Sequence, residues 1–332
     1  MNQHQHNHVD IEGYRHISNV IKTTQEKMDK IRSGAIKPLL TRSQKEKDKI
    51  GGYYQSDQVV IAARTGTGKS AKIIQDIDDF CNIDINPYYA NNSIILFDSF
   101  EMSDWRNVLR MISAKGEVEV KELLDYNKRL QEERYLFLRA VADKFKDYPL
   151  YISTRPLSVR NWEENKKQIQ GKFPQKHIIN IYDHTRLALK ETESKEEEML
   201  SNLMIAGMRL KNGQEMINIF LSQMNRNIET NQARNNMGAS TPVSSDIFGS
   251  DSVFQCADVV IALHRPGMYK LEEFEGVPTG YLKSNPDSQD SLLIECILKQ
   301  RDGWTGNLFM KHNLAHNKIE DYDFTQNKQL GW

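Results

Sequence analysis

Short runs of apolar, mostly β-branched residues recur along the chain, separated by segments with helical spacing. The first run, Gln58–Ala63 (QVVIAA), is apolar at consecutive positions, which is typical of a strand covered on both faces. Comparable runs lie at Ser93–Phe97, Pro149–Ile152, Ile178–Tyr182, Ile217–Ser222 and Ala257–Leu263. Two later runs, Ser291–Lys299 and Asn307–Lys311, predict a closing antiparallel pair of strands.

Helical patterns lie between these runs. Glu197–Leu210 has apolar residues at helical spacing and Gly213 as its expected stop. The charge run Lys190–Glu198 is interpreted as a solvated loop that leads into this helix. Longer helical patterns cover Ile11–Ile31 and Val118–Tyr148. Strands that alternate with helices indicate βαβ crossovers, so the sequence predicts an α/β fold with a mainly parallel sheet and flanking helices.

Composition and charge argue against some classes of protein. Of the 332 residues, 39% are hydrophobic and 27% are charged, as in proteins with a substantial core. No apolar run approaches the roughly 18 residues that span a bilayer, so we expect a cytoplasmic protein without a membrane partner. Lys and Arg (44) balance Asp and Glu (45). This balance argues against a simple DNA-coating protein but permits a ring whose basic groups line a channel.

A phosphate-binding loop directly follows the first predicted strand. It has the pattern G-x-x-x-x-G-K-[ST] with alanine in the first position, and consists of Ala63, Arg64, Thr65, Gly66, Thr67, Gly68, Lys69 and Ser70. We expect Lys69 to bridge the β- and γ-phosphates and the Ser70 hydroxyl to bind Mg²⁺. The alternative is a chance Gly-rich turn, but the strand before and the helix after it favour a nucleotide site.

Two acidic residues bear on hydrolysis. Asp183 ends the run IINIYD, where a carboxylate associated with Mg²⁺ is expected. Glu101 follows SIILFDSF and is predicted to orient or deprotonate the attacking water. Asp98, near the end of the same strand, is the rival for this role.

A family resemblance rests on the order and spacing of seven motifs. They are AARTGTGKS, FEMS, LYISTRPLSV, IYDHTRL, LSQMNR, QCADVVIALHR and LKQRDGWTGN. From about Gly51 to about Lys311 the chain resembles the ATPase domain of DnaB-type hexameric replicative helicases. The resemblance implies a RecA-like P-loop NTPase core over residues 51–332, preceded by an N-terminal tail and helical linker segment over residues 1–50.

The resemblance also implies roles for single residues. Glu101 corresponds to the catalytic glutamate and Asp183 to the aspartate linked to Mg²⁺. Gln223 corresponds to the residue that senses the γ-phosphate and couples it to the DNA-binding loops. Lys299 and Arg301 correspond to a basic pair that enters a neighbouring subunit's active site. For Arg301, a surface ion pair near a turn is the alternative.

The chain departs from the family pattern at several places. The N-terminal domain that contacts primase in complete bacterial helicases has no counterpart, which would suit a phage or mobile element. His184, Thr185 and Arg186 replace more apolar and amide-bearing residues. Arg265–Gln289 is a polar insertion rich in Pro and Gly, to which the sequence assigns no function.

The segment after the fifth predicted strand is long, polar and rich in Asn, Ser, Gly and Arg. At this position in a RecA-type ring, loops face the channel. Arg226 and Arg234 are therefore the predicted contacts to phosphates of single-stranded DNA, and a mobile surface loop is the alternative.

These features together predict an ATP-dependent DNA helicase or translocase of DNA replication. We expect a homo-oligomer, a hexameric ring, with primase or a helicase loader as further partners. The alternatives are a RecA- or KaiC-like ATPase that acts in recombination or regulation without unwinding, and a helicase-like partner protein without enzymatic activity.

Overall fold

The computed structural model describes residues 9–185, 195–225, 241–285 and 288–324. The chain divides into two compact units, Met1–Pro38 and Leu39–Trp332. In the first unit, helix α1 (Ile17–Arg32) begins after His16, whose Nδ1 accepts a hydrogen bond from the Ser18 amide. This cap explains why α1 begins later than the apolar pattern predicted.

The remaining elements belong to the second unit. Its described helices are α2 (Gln44–Lys49), α3 (Lys69–Cys81), α4 (Pro87–Asn92), α5 (Asp104–Gly116), α6 (Val120–Leu123), α7 (Glu132–Lys144), α8 (Val159–Lys172), α9 (Glu196–Gln214) and α10 (Ser250–Cys256). Its described strands are β1 (Gln58–Ala63), β2 (Ser93–Ser99), β3 (Leu150–Ser153), β4 (His177–Asp183), β5 (Ile217–Gln223), β6 (Val259–His264), β7 (Glu273–Phe274), β8 (Val277–Pro278), β9 (Leu292–Gln300), β10 (Gly306–Asn313) and β11 (Lys318–Asp321). None of the helices in the described ranges is long and apolar enough to cross a membrane.

One large sheet organises this unit. Within the described residues it has nine strands in the order β11-β10-β9-β6-β1-β5-β4-β2-β3. The strands from β6 to β3 are parallel to one another. Strands β9, β10 and β11 continue the sheet with antiparallel pairing. The prediction of a mainly parallel α/β sheet with a late antiparallel pair is confirmed, and β11 extends that pair.

Helices cover both faces of the sheet, which explains the continuous apolar runs. Along β1, Val59 and Ile61 belong to one buried cluster together with residues of α3, while Val60 and Ala62 belong to a second cluster with residues of α9. These four side chains are fully buried. Strand β1 is therefore held in a fixed position between two cores, which also fixes the point where the loop after it begins.

The predicted helix over Val118–Tyr148 is interrupted. Asp125 accepts hydrogen bonds from the backbone amides of Asn127 (2.9 Å) and Lys128 (3.3 Å), and this turn separates α6 from α7. Short side chains that bind nearby backbone groups compete with a continuous helix, and the helical pattern does not report this competition.

Along the direction of its strands, the sheet has a carboxyl edge, where the parallel strands end, and an opposite edge, where they begin. The carboxyl ends of the parallel strands β1, β2, β4, β5 and β6 meet at one edge, which is where α/β sheets bind ligands. Strand β9 runs the other way, and Gln300 near its end pairs with Val259 at the start of β6. The end of β9 therefore lies at the opposite edge.

Candidate nucleotide-binding site

A cavity of about 440 Å³ opens at the carboxyl ends of the parallel strands. Five separate segments of the sequence contribute to it. Its lining residues are Ala63, Arg64, Thr65, Gly66, Lys69, Ser70, Glu101, His184, Glu196 and Gln223. The fold thus gathers most of the predicted nucleotide-site residues around one space.

The loop between β1 and α3 depends on glycine. Gly66 and Gly68 have φ angles of 82° and 115°, in the left-handed region that other residues rarely adopt. A Cβ atom on Gly68 would also lie 3.0 Å from Leu314 Cδ2. Because α3 begins at Lys69, its first amides lack acceptors within the helix and can bind an anion.

Lys69 and Asp183 form an ion pair beside this loop. Lys69 Nζ lies 2.9 Å from Asp183 Oδ1, and the side chains are 11% and 5% exposed. Ser70 lines the cavity next to Lys69. A hydroxyl and a carboxylate are hard oxygen donors of the kind that Mg²⁺ takes together with substrate phosphates, so Ser70 and Asp183 fit that ion.

The two candidate acids near the end of β2 lie in different surroundings. Glu101 is exposed and lines the cavity. Asp98 is 3% exposed, accepts a hydrogen bond from Trp162 Nε1 at 2.8 Å and forms an ion pair with Lys166 Nζ at 2.8 Å. The carboxylate of Asp98 is therefore already bound on the face of the sheet that α8 covers.

Arg110 on α5 is a charged neighbour of the site that the sequence did not indicate. Burial lowers the pKa of its guanidinium, and the nearby carboxylates of Glu101 and Asp183 oppose that shift. Its position on the helix that follows Glu101 was the available signal, since such a helix begins at the carboxyl edge of the sheet.

Gln223 links the loop to the end of β5. Its Nε2 donates to Thr65 Oγ1 at 3.3 Å, and Arg64 Nη1 donates to the Met224 carbonyl at 2.9 Å. Beyond this point, Met224 forms a β-bridge with Ile247. The predicted DNA contacts Arg226 and Arg234 lie outside the described residues.

The structure does not bring Lys299 and Arg301 to this cavity. Arg301 Nε lies 3.2 Å from Asp258 Oδ1, and Lys299 Nζ donates to the Phe254 carbonyl. Both residues lie near the end of β9, at the opposite edge of the sheet. The strand pairing from Val59 to Ala63 spans ~13 Å at ~3.3 Å per residue, so Arg301 is remote from the loop of its own chain.

The family of this chain follows from a match to known proteins. The model of the DnaB-like helicase C terminal domain matches residues 39–321. The chain belongs to this family. The second compact unit also begins at Leu39, which pairs with Tyr53 through backbone hydrogen bonds of 2.7 and 2.9 Å. Residues 39–50, which the motifs had left with the linker, therefore pack with the DnaB-like domain.

Curated relatives of the chain are helicases by name. A probable replicative DNA helicase of Trieres chinensis is 29% identical over 82% of this chain and 54% of its own length. The replicative DNA helicase DnaB of Geobacillus stearothermophilus is 26% identical over 92% of this chain and 62% of its own length. The chain thus spans little more than half the length of the relatives that it matches.

Solved structures support the same fold. One of them, an ATPase domain, superposes with a TM-score of 0.75 at 19% identity, covering 93% of this chain and 99% of that one. A DnaB-like replicative helicase, described with its interactions with primase, gives a TM-score of 0.73 at 19% identity over 91% of this chain and 66% of its own. The RecA-like core expected from the motifs is the fold of this DnaB-like domain.

Two cavity residues were not predicted. Glu196 belongs to the charge run that the sequence indicated as a solvated loop, yet it is the first residue of α9 and lines the cavity. His184, noted only as a departure from the family pattern, follows Asp183 directly and also lines it. Arg186 lies outside the described residues.

Proposed function

We propose that this DnaB-like domain is the motor of a DNA helicase that hydrolyses ATP at subunit interfaces and moves along single-stranded DNA during replication. The observation that carries the proposal is the cavity that unites the phosphate loop, Glu101 and Gln223 beside the Lys69–Asp183 pair. The relatives named replicative DNA helicase support the assignment to replication. We expect it to act in the cytoplasm of a bacterium or of a phage's host.

The side chains of the cavity have complementary roles in binding. The Lys69 ammonium and the first amides of α3 offset the charge of the phosphates. Ser70 and Asp183 would hold Mg²⁺, which when bound neutralises charge on the phosphate oxygens. On nucleotide binding, Lys69 exchanges its contact with Asp183 for one with phosphate, which frees that carboxylate for the ion.

Glu101 is the proposed general base. Its carboxylate accepts the proton of the water that attacks the γ-phosphorus, and the bond from that phosphorus to the bridging oxygen breaks to release ADP. The carboxylate of Asp98 is already bound by Trp162 and Lys166, which supports this choice. Arg110 holds positive charge near Glu101 and Asp183, which limits repulsion between these acids and the phosphates.

The site would be completed by a second subunit. Arg301 and Lys299 lie at the edge opposite to their own loop, so they reach the γ-phosphate only in an adjacent protomer. A ring of subunits, hexameric as in the helicases that the motifs resemble, provides this arrangement at every interface. The Gln223–Thr65 and Arg64–Met224 contacts connect each nucleotide to the segment that carries Arg226 and Arg234.

Single-stranded DNA is the proposed substrate track, with primase or a helicase loader as partners. The structural neighbour described with its interactions with primase supports the former. The test measures ATP turnover with and without single-stranded DNA, the mass of the assembly, and strand displacement on a forked duplex. Turnover without displacement would favour a recombination or regulatory ATPase, and no turnover would favour a partner protein without activity.

A further inference from the structure

Arg265 joins the phosphate loop to Asp290, the residue that directly follows the insertion. It lies immediately after β6, at the same edge of the sheet as the cavity. Its Nη1 donates to the carbonyl oxygen of Gly66 within the loop. On the other side, its Nε and Nη2 donate to the two carboxylate oxygens of Asp290 at 2.9 and 2.7 Å.

This arginine is held in a fixed position. The side chains of Arg265 and Asp290 are 15% and 14% exposed, and His312 Nε2 lies 3.3 Å from Asp290 Oδ2. Burial raises the pKa of Asp290, but its hydrogen bonds with His312 and Arg265 outweigh burial and hold that pKa below its usual range. Asp290 is therefore a charged anchor for the guanidinium at neutral pH.

The turn after Arg265 is shaped to allow this contact. Residues Pro266–Tyr269 form a single 3₁₀ turn, and a Cβ atom on Gly267 would lie 2.2 Å from Asp290 Cβ. Only glycine permits the turn and Asp290 to approach so closely. Met268, in the same turn, places its Cε 3.6 Å from where a Cβ of Gly66 would lie.

We propose that Arg265 is a positioning residue for the phosphate loop. By binding the Gly66 carbonyl while Asp290 holds its other side, it orders a glycine-rich loop before a ligand arrives, so less conformational entropy is lost on binding. The planar guanidinium is required because three donors act in two directions, which an ammonium cannot reproduce. The effect on nucleotide affinity rests on the proposed function, whereas the ordering of the loop does not.

The first experiment follows the loop without nucleotide. Millisecond hydrogen exchange compares residues 64–72 in the wild type, in Arg265→Lys and in Arg42→Lys. Arg42 is a matched control, because its guanidinium also donates to carboxylates, from Nε to Asp79 and from Nη2 to Asp78, but it lies away from the loop. We expect Arg265→Lys to speed exchange in residues 64–72 about tenfold, as for loss of one charged hydrogen bond, and Arg42→Lys to leave it unchanged.

The second experiment measures affinity for the fluorescent nucleotide mant-ADP, with the thermal unfolding midpoint alongside. Lys at position 265 keeps a cation opposite Asp290, so we expect a midpoint near that of the wild type but a Kd about tenfold higher. Wild-type exchange and affinity in Arg265→Lys would overturn the proposal, as would faster exchange spread over the whole chain. If the wild type binds no mant-ADP, the proposed function is refuted. If Arg265→Lys then still shows faster exchange confined to the loop, the positioning role stands.

Discussion

Lys69 on the phosphate loop and Asp183 at the end of β4 neutralise each other across 2.9 Å. Lys69 is the first residue of α3, after the loop that follows β1, whereas Asp183 ends β4. The strand β5, which separates β1 from β4 in the sheet, brings Gln223 to the same cavity. In the proposed mechanism Lys69 offsets the charge of the phosphates, and Asp183 would hold Mg²⁺. Their contact therefore links the binding of both.

Replacing Lys69 with alanine should abolish ATP hydrolysis, because the cation that offsets phosphate charge is lost. The measurement is steady-state phosphate release, with circular dichroism to verify the fold. Lys115→Ala is the control, since Lys115 pairs with Asp78 and its side chain is 41% exposed. Undiminished turnover in folded Lys69→Ala would remove the assignment of the loop.

Glu101→Gln should bind ATP and slow its hydrolysis about 10²-fold or more, the usual contribution of a general base. Asp98→Asn should act on stability instead, because Lys166 would lose the carboxylate that neutralises its buried charge. Single-turnover hydrolysis and urea unfolding on both variants separate the two effects. If Asp98→Asn hydrolyses ATP slowly at unchanged stability while Glu101→Gln stays active, the general base is Asp98.

The sequence predicted those parts of the site that depend on local order. A strand, a glycine-rich loop and a helix identify Lys69 and Ser70, and the rule that ligands bind at carboxyl ends of parallel strands indicates Glu101 and Asp183. It left Glu101 and Asp98 as rivals, because the partners that bind Asp98, Trp162 and Lys166, lie far along the chain.

The sequence also did not indicate the role of Arg265, the first residue of the insertion. Arg265 contacts Gly66 across 199 positions, and its anchor Asp290 lies 25 positions away. No periodicity or short motif encodes such pairs, because they arise only when the strands are placed side by side. The composition of the insertion, polar and rich in Pro and Gly, does not indicate which of its residues is fixed.

A buried charge cluster should make stability depend on pH. Among the residues that the structure describes, Lys72 is the one ammonium beside the carboxyls of Glu46, Asp76 and Glu295. The Tyr53 hydroxyl lies next to them, and all five residues are at most 4% exposed. Burial raises the pKa of Asp76 to about 7, although Lys72 opposes this shift. Its pKa in the unfolded chain is about 3.9, so the folded protein binds the proton more tightly.

The contribution of Asp76 to stability is therefore complete below about pH 4 and is lost as the pH rises through about 7. Asp76→Asn cannot ionise, so its unfolding free energy in urea should fall less between pH 5 and pH 8 than that of the wild type. Asp143→Asn, which changes an exposed carboxylate, is the control. Identical pH slopes in Asp76→Asn and the wild type would contradict the assignment.

Replacing Arg226 and Arg234 together with alanine should weaken binding of single-stranded DNA evenly across sequences. The slope of log Kd against log salt should become shallower by ~0.7 for each phosphate that the protein no longer neutralises. Fluorescence anisotropy with labelled oligonucleotides of different sequence measures both effects. Arg160→Ala serves as the control, since Arg160 pairs with Glu164 on the exposed side of α8. An unchanged salt slope would mean that neither arginine touches phosphate.

Arg301→Ala should lower ATP turnover by ~10³- to 10⁵-fold, the contribution of an arginine that stabilises the charge of phosphoryl transfer from another subunit. The variant should fold, because its partner Asp258 keeps Lys211 and the Gln58 amide. Lys299→Ala is expected to act in the same direction. If Arg301 serves only its surface ion pair with Asp258, turnover will equal that of the wild type.

Mixing two inactive variants, Arg301→Ala and Lys69→Ala, separates action between subunits from action within one. In a mixed ring, some interfaces pair an intact phosphate loop with an intact Arg301 of the neighbour, so basal hydrolysis should partly return. Subunit exchange is verified by native mass spectrometry. A ring that exchanges its subunits and recovers no activity would contradict independent sites at each interface. We expect activity to recover because Arg301 lies near the end of β9, at the sheet edge opposite to the phosphate loop of its own chain.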